Sequence, residues 1–154
     1  MAITDAGFVD GPEGSGADLL QRVGPTLIVR VSIGAPHPVL SSPRPPDVGV
    51  TVAQVPALID TGASESCIDQ DLADQLALTL VDRRIVSGAG GRHDLNVYLA
   101  EIDIPGLLVK QYGLFTAVRL AEGGAIHRVL LGRTLLRELV VIYDGRRGVV
   151  TMCH

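Results

Sequence analysis

The stretch ALIDTGASESCID, residues 57–69, constrains the fold more than any other part of the chain. An apolar run with the look of a buried strand stops abruptly at a carboxylate, a hydroxyl and a glycine. An ionised carboxylate is rarely buried, because desolvation costs several kcal/mol unless a partner or a proton relieves it. Asp60 therefore either ends its strand in a surface turn, with its side chain bonded to local amides, or sits where chemistry requires it. Gly62 admits a close backbone approach that a side chain would block.

The rest of the chain reads as short strands divided by turn-formers. TLIVRVSI (26–33) and VGVTVAQV (48–55) are β-branched and partly alternating, which predicts strands. Between them GAPHPVLSSPRPPD (34–47) carries five prolines and is expected as an exposed loop. After the Asp60 motif, DQDLADQLAL (69–78) sets Leu72 and Leu76 at helical spacing behind Asp69 as a candidate N-cap. RRIVSGAGGRHDLNVYLAEIDI (83–104) reads as two strands joined by a tip at Gly88, Gly90 and Gly91, and GLLVKQYGLFTAV (106–118) as a strand interrupted by Gly113. VLLGRTLL (129–136) passes from an apolar run through Gly132 into a helical pattern, and VVIYDGRRGVVTMC (140–153) is a terminal hairpin. Residues 1–17, poor in apolar side chains and rich in glycine, are expected as a flexible arm ahead of a single domain at 18–154.

Several function classes are disfavoured by composition. With 47% hydrophobic, 19% charged and 3% aromatic residues, the core must be built from Val, Leu, Ile and Ala. The net charge of -4 and the absence of a basic run give no electrostatic reason to bind nucleic acid. No apolar stretch approaches the roughly 18 residues of a membrane-spanning helix, and the acidic N-terminus lacks the pattern of a signal peptide. The expectation is a cytoplasmic protein without membrane attachment. Cys67 and Cys153 make no disulfide framework, and His37, His93, His127 and His154 have no metal spacing. The four histidines are expected at the surface or in turns. Cys67 reads as a small core residue in preference to a redox switch.

An apolar strand meeting Gly132, about seventy residues after Asp60, lets two chain segments cross closely behind the carboxylate. On ALIDTGAS and LLGRTLL, supported by the Gly-tipped hairpin and the terminal hairpin, residues 24–153 resemble the retropepsin-like aspartic protease family, of the single-domain bacterial or cellular type. The resemblance implies a mostly β fold, a small closed β-barrel of the retropepsin (acid protease) type with one or two short helices. It implies an aspartic endopeptidase, a hydrolase acting on polypeptides, with Asp60 as the catalytic residue and Thr61, Gly62 and Ala63 supporting it. Gly88, Ala89, Gly90 and Gly91 fall on the substrate-covering flap, and Leu131, Gly132 and Arg133 on the structural element near the site. No metal or organic cofactor is implied. Ser64 stands where retroviral members often carry an acidic residue that pairs with the arginine matching Arg133; Glu65 or Asp69 is expected to substitute.

This chemistry needs two carboxyl groups around one water, one ionised and one protonated. The chain holds one Asp-Thr-Gly and no internal duplication, so a twofold homodimer is expected to bring two copies of Asp60 together. The rival from another class is a non-catalytic dimerisation or peptide-binding module on the same fold.

Overall fold

The computed structural model describes residues 1–33, 52–88 and 91–154. The proline-rich 34–47 segment, His37, Ala89 and Gly90 lie outside the described residues. The elements are β1 (Ile3–Asp5), α1 (Gly16–Val23), β2 (Thr26–Ser32), β3 (Ala53–Ile59), β4 (Cys67–Asp69) and α2 (Gln70–Gln75). There follow β5 (Thr79–Gly88), β6 (Gly91–Ile104), β7 (Val109–Val118), β8 (Val129–Leu131), α3 (Arg133–Leu136), β9 (Val140–Asp144) and β10 (Val149–Cys153). Single 3-10 turns occupy Pro105–Leu107 and Ala121–Gly123.

The fold is mostly β, as expected. Seven strands pair in the order β2-β3-β8-β4-β7-β6-β5, and a further β2–β6 pairing closes six of them into a ring that leaves β5 outside. Alternation directs one face of each strand inward. Tyr98, Ala100, Ile102 and Ile104 of β6 point to the core, where they join Val29, Val31, Ile68, Phe115, Val129 and Leu131. Phe115 is the one large ring among the most buried side chains, so close packing rests on branched aliphatics, as the composition requires. β7 runs unbroken through Gly113, because both backbone neighbours there keep their ladder partners on β6.

Strand β8 is what positions the site. It pairs in parallel with β3, Ile59 opposite Leu131, and antiparallel with β4, Cys67 opposite Leu130. The strands entering and leaving the Asp60 turn thus lie on either side of β8, and residues 60–66 must wrap around its C-terminal end. Helix α2 follows at once, with the Asp69 carboxylate accepting from Leu72 N at 3.3 Å as the predicted cap.

The first seventeen residues differ from the expected arm. β1 pairs with β10, Ala6 is fully buried, and Ala6 N donates to Val150 O at 2.8 Å. Ser15 caps α1, accepting from Asp18 N at 3.1 Å, and Leu19 and Leu20 of that helix are buried. Apolar content is a poor guide here because the segment is held through backbone bonds and glycine contacts. A Cβ on Gly148 would strike the Gly16 carbonyl group, and one on Gly16 would strike Phe8 O. α1 brings the short α-helices among the described residues to three, against the one or two expected.

Candidate active site

Asp60 directly follows β3. Its amide extends the β3–β8 ladder by one bond, donating to Leu131 O at 3.0 Å, so backbone pairing fixes the residue before its side chain does anything. Its Oδ1 then accepts from Gly62 N at 2.8 Å and Ala63 N at 3.3 Å. Oδ2 has no hydrogen-bond partner among the described residues. One oxygen of the carboxylate thus holds the loop in an Asx-type turn, and the turn does not engage the other. A Cβ on Gly62 would stand 3.0 Å from Asp60 Oδ1 and press on the oxygen that holds the turn. Thr61 and Gly62 are exposed, and Asp60 and Ala63 are half-buried.

The predicted crossing behind the carboxylate is present. A Cβ on Gly132 would fall on the Glu65 carbonyl group and stand 2.9 Å from Ser66 N, so glycine alone fits. Gly132 N donates to the Oγ of buried Ser66 at 3.1 Å. The first amides of α3 continue the seam, Arg133 N to Ala63 O at 3.0 Å and Thr134 N to Ser64 O at 3.1 Å. Leu131 is fully buried beneath.

Arg133 has a different partner from the one expected. Its Nη1 donates to the carbonyl oxygens of Thr61 at 2.8 Å and Gly62 at 3.1 Å, so it clamps the backbone of the motif instead of an acidic side chain. The two candidate acids are engaged elsewhere. Glu65 lies 3.5 Å from Arg84 on β5. Asp69 is buried and pairs with Arg128 at 2.8 Å, while its Oδ2 accepts from Leu120 N at 2.9 Å and Ala121 N at 3.1 Å. Asp69 is thus a structural hub that ties β4, α2 and the 119–124 loop together.

Of the expected flap residues, Gly88 and Gly91 close the β5–β6 ladder opposite one another, and Gly91 has φ +105°. That left-handed value explains a glycine at this turn. Cys67, expected in the core, is half-buried; burial, then the charges of Glu65 and Asp60, push its thiol up from the ordinary value. That shift keeps it a neutral thiol near the carboxylate. His127, expected at the surface, is only 5% exposed, with Nε2 at 2.8 Å from Thr26 Oγ1. Because the Thr26 hydroxyl itself donates to Gly24 O at 2.9 Å, its oxygen is the acceptor and His127 carries its proton on Nε2. No sequence signal marked it, since its partner lies 101 positions away. Among the described residues no group of His, Cys, Asp and Glu side chains is arranged to hold a metal ion.

Comparison with known proteins follows the same lines. No curated protein sequence matches the chain. The EIAV protease complexed with the inhibitor HBY-793 is similar in structure at a TM-score of 0.44 and 19% identity, over 74% of this chain and 86% of that one. The family described as "gag-polyprotein putative aspartyl protease" matches residues 47–138, more than half of the chain and inclusive of both the Asp60 turn and the Gly132 crossing. The chain belongs to this family of retropepsin-like aspartyl proteases.

Proposed function

We propose that the protein is an aspartic endopeptidase that works as a homodimer, with Asp60 of each copy facing the other across a twofold axis. The observation that carries this reading is the division of labour within one carboxylate: Oδ1 holds the loop through two amides and Oδ2 has no partner among the described residues. A second Asp60 placed beside such an oxygen shares one proton with it, because two carboxylates about 3 Å apart do not both ionise readily. The ionised member takes a proton from a water molecule as that water attacks the peptide carbonyl carbon. The protonated member donates to the carbonyl oxygen, and the amine leaves with a proton as the tetrahedral intermediate collapses.

In this reading Thr61 and Gly62 support the dyad, Ala63 fixes the turn, and the hairpin tip at 88–91 covers the peptide. The substrate is a polypeptide, no cofactor takes part, and activity is greatest at acid pH, where the pair carries a single proton. The family to which the chain belongs supports the protease class; the paired aspartates and the dimer are the further step.

Digestion of a peptide library by the wild type and by Asp60→Asn tests it. Cleavage by the wild type and none by the variant is expected, with activity per chain falling on dilution as the dimer dissociates. Equal cleavage by both proteins, or a wild type inert at every pH while it forms stable dimers, points instead to the non-catalytic module.

A further inference from the structure

The β5–β6 hairpin outgrows its sheet. β7 pairs with β6 only from Val97 onward, and β5 ends the sheet, so among the described residues 91–96 of β6 bond in the ladder to β5 alone. Residues 82–88 and 91–96 therefore form a two-stranded ribbon, a structure of marginal stability on its own. At its root the β5–β6 register shifts between Leu80 and Asp82, a bulge that bends the strand. A polar cluster pins the root to α2. Asn96 Nδ2 donates to Gln70 Oε1 at 3.2 Å and to the hydroxyl of buried Tyr98 at 3.3 Å, and that hydroxyl donates to Asp74 Oδ1 at 3.1 Å.

Farther out, among the described side chains, one ion pair joins the ribbon to the rest of the molecule: Arg84 Nη1 stands 3.5 Å from Glu65 Oε2. Its two ends are unequal. Glu65 sits on the wrapped loop between Asp60 and β4, with its carbonyl group locked against Gly132 and accepting from Cys67 Sγ at 3.7 Å. Arg84 rides on the ribbon, opposite Leu95 and beyond the bulge. One end sits at the crossing behind the carboxylate; the other is carried on the hairpin.

We propose that Arg84 and Glu65 are positioning residues whose ion pair latches the β5–β6 ribbon, through its 82–88 and 91–96 strands, against the loop that carries Asp60, so that ionic strength controls how tightly those strands are held. The proposal rests on the endopeptidase reading for its consequence in catalysis, but not for the latch itself. Both side chains are substantially exposed, at 44% and 58%, which bounds the strength of the pair and exposes it to screening by salt. A pair of this kind biases the closed ribbon by about two- to fivefold. The bulged root and the Asn96 cluster give the motion a fixed pivot.

Hydrogen exchange in the Asp60→Asn background, where no cleavage can intervene, tests the latch. Arg84→Gln and Glu65→Gln are each expected to speed exchange of amides in 82–85 and 91–96 by about two- to fivefold. The double neutral variant should add nothing, and the charge-swapped Glu65→Arg/Arg84→Glu protein should return to the parental rate. High salt should speed the parent and leave the neutral variants unmoved. In cleavage-competent protein the same variants should raise KM with kcat nearly held and abolish the salt dependence of KM. Unchanged ribbon exchange in both single variants, acceleration shared equally by β3 and β8, or failure of the swap to restore the rate overturns the latch. A wild type that cleaves nothing sinks the protease reading alone, because the exchange result stands without it.

Discussion

Arg133 Nη1 bridges the carbonyl oxygens of Thr61 and Gly62, at 2.8 Å and 3.1 Å, from a helix whose first amide is already bonded to Ala63 O. Three consecutive carbonyls of the motif are therefore held from one residue. The loop's amides are turned toward Asp60 Oδ1 and its carbonyls toward Arg133, so the carboxylate and the guanidinium fix opposite sides of the same turn.

Arg133→Ala is expected to loosen that turn while leaving the core intact. Charge-assisted bonds of this kind contribute about 1.5–3 kcal/mol when shielded, and the exposure of Arg133 puts this case at about 1 kcal/mol. Urea unfolding should show that small loss, with kcat lowered far more than the stability change explains. Arg133→Lys should recover part of kcat only, since an ammonium lacks the planar fork. Full activity in the alanine variant would show that the turn needs no clamp.

Gly132→Ala is a harsher test of the crossing. The added methyl meets the Glu65 carbonyl group and Ser66 N, all backbone and none able to swing aside. A cost of about 3 kcal/mol is expected, at the upper end of overpacking, with the Gly132 N to Ser66 Oγ bond broken as the segments part. The check is the urea midpoint compared with Gly123→Ala, where a Cβ meets nothing within 4 Å. Similar midpoints for the two variants would contradict the crossing.

Local features of the site were readable in the chain because their causes are local. Asp60, Thr61 and Gly62 sit at a strand end whose apolar run is contiguous, Asp69 caps the helix that follows it, and Gly132 interrupts an apolar run just before a helix. The partners of the charged groups were not readable. For Arg133 the sequence offers an acidic partner or a solvated head, because it shows charges and hides carbonyls, whereas the structure gives it the carbonyls of Thr61 and Gly62. Glu65 and Asp69 pair with Arg84 on β5 and with Arg128 just before β8, brought near by strand pairing that no spacing encodes. The N-terminal segment failed for a related reason, its order resting on backbone bonds to β10 and on glycine contacts.

Asp69→Asn probes the buried hub. The carboxylate accepts from Leu72 N, Leu120 N, Ala121 N and Arg128, and an amide keeps one acceptor oxygen while turning a donor toward other donors. Removing one member of a buried pair costs about 3–5 kcal/mol, and the 34% exposure of Arg128 argues for the lower end. The expected result is a loss of about 3 kcal/mol in urea unfolding, with Arg128→Gln costing less because the carboxylate keeps its three amides. Equal small losses for both variants would mean that the hub carries no special weight.

His127 is expected to weaken the fold as the pH falls. Burial lowers its pKa below the ordinary value of 6.5, so the unfolded chain takes up a proton at a higher pH than the folded one. Between those two values the unfolded state binds more protons, and stability falls as pH falls. The loss begins as pH drops through about 6.5 and is complete only below the depressed folded value. His127→Gln keeps a donor for Thr26 Oγ1 and cannot titrate, so its Tm should fall less steeply than that of the wild type between about pH 7 and pH 5. Parallel slopes for the two proteins would show that His127 takes up its proton over the same pH range in the folded and unfolded states. On the proposed dimeric endopeptidase reading the contrast bears on function: a proton shared by two copies of Asp60 favours acid, whereas the buried imidazole favours neutrality. On that reading the variant should extend peptide cleavage to lower pH by prolonging the life of the folded protein, with kcat at neutral pH unchanged.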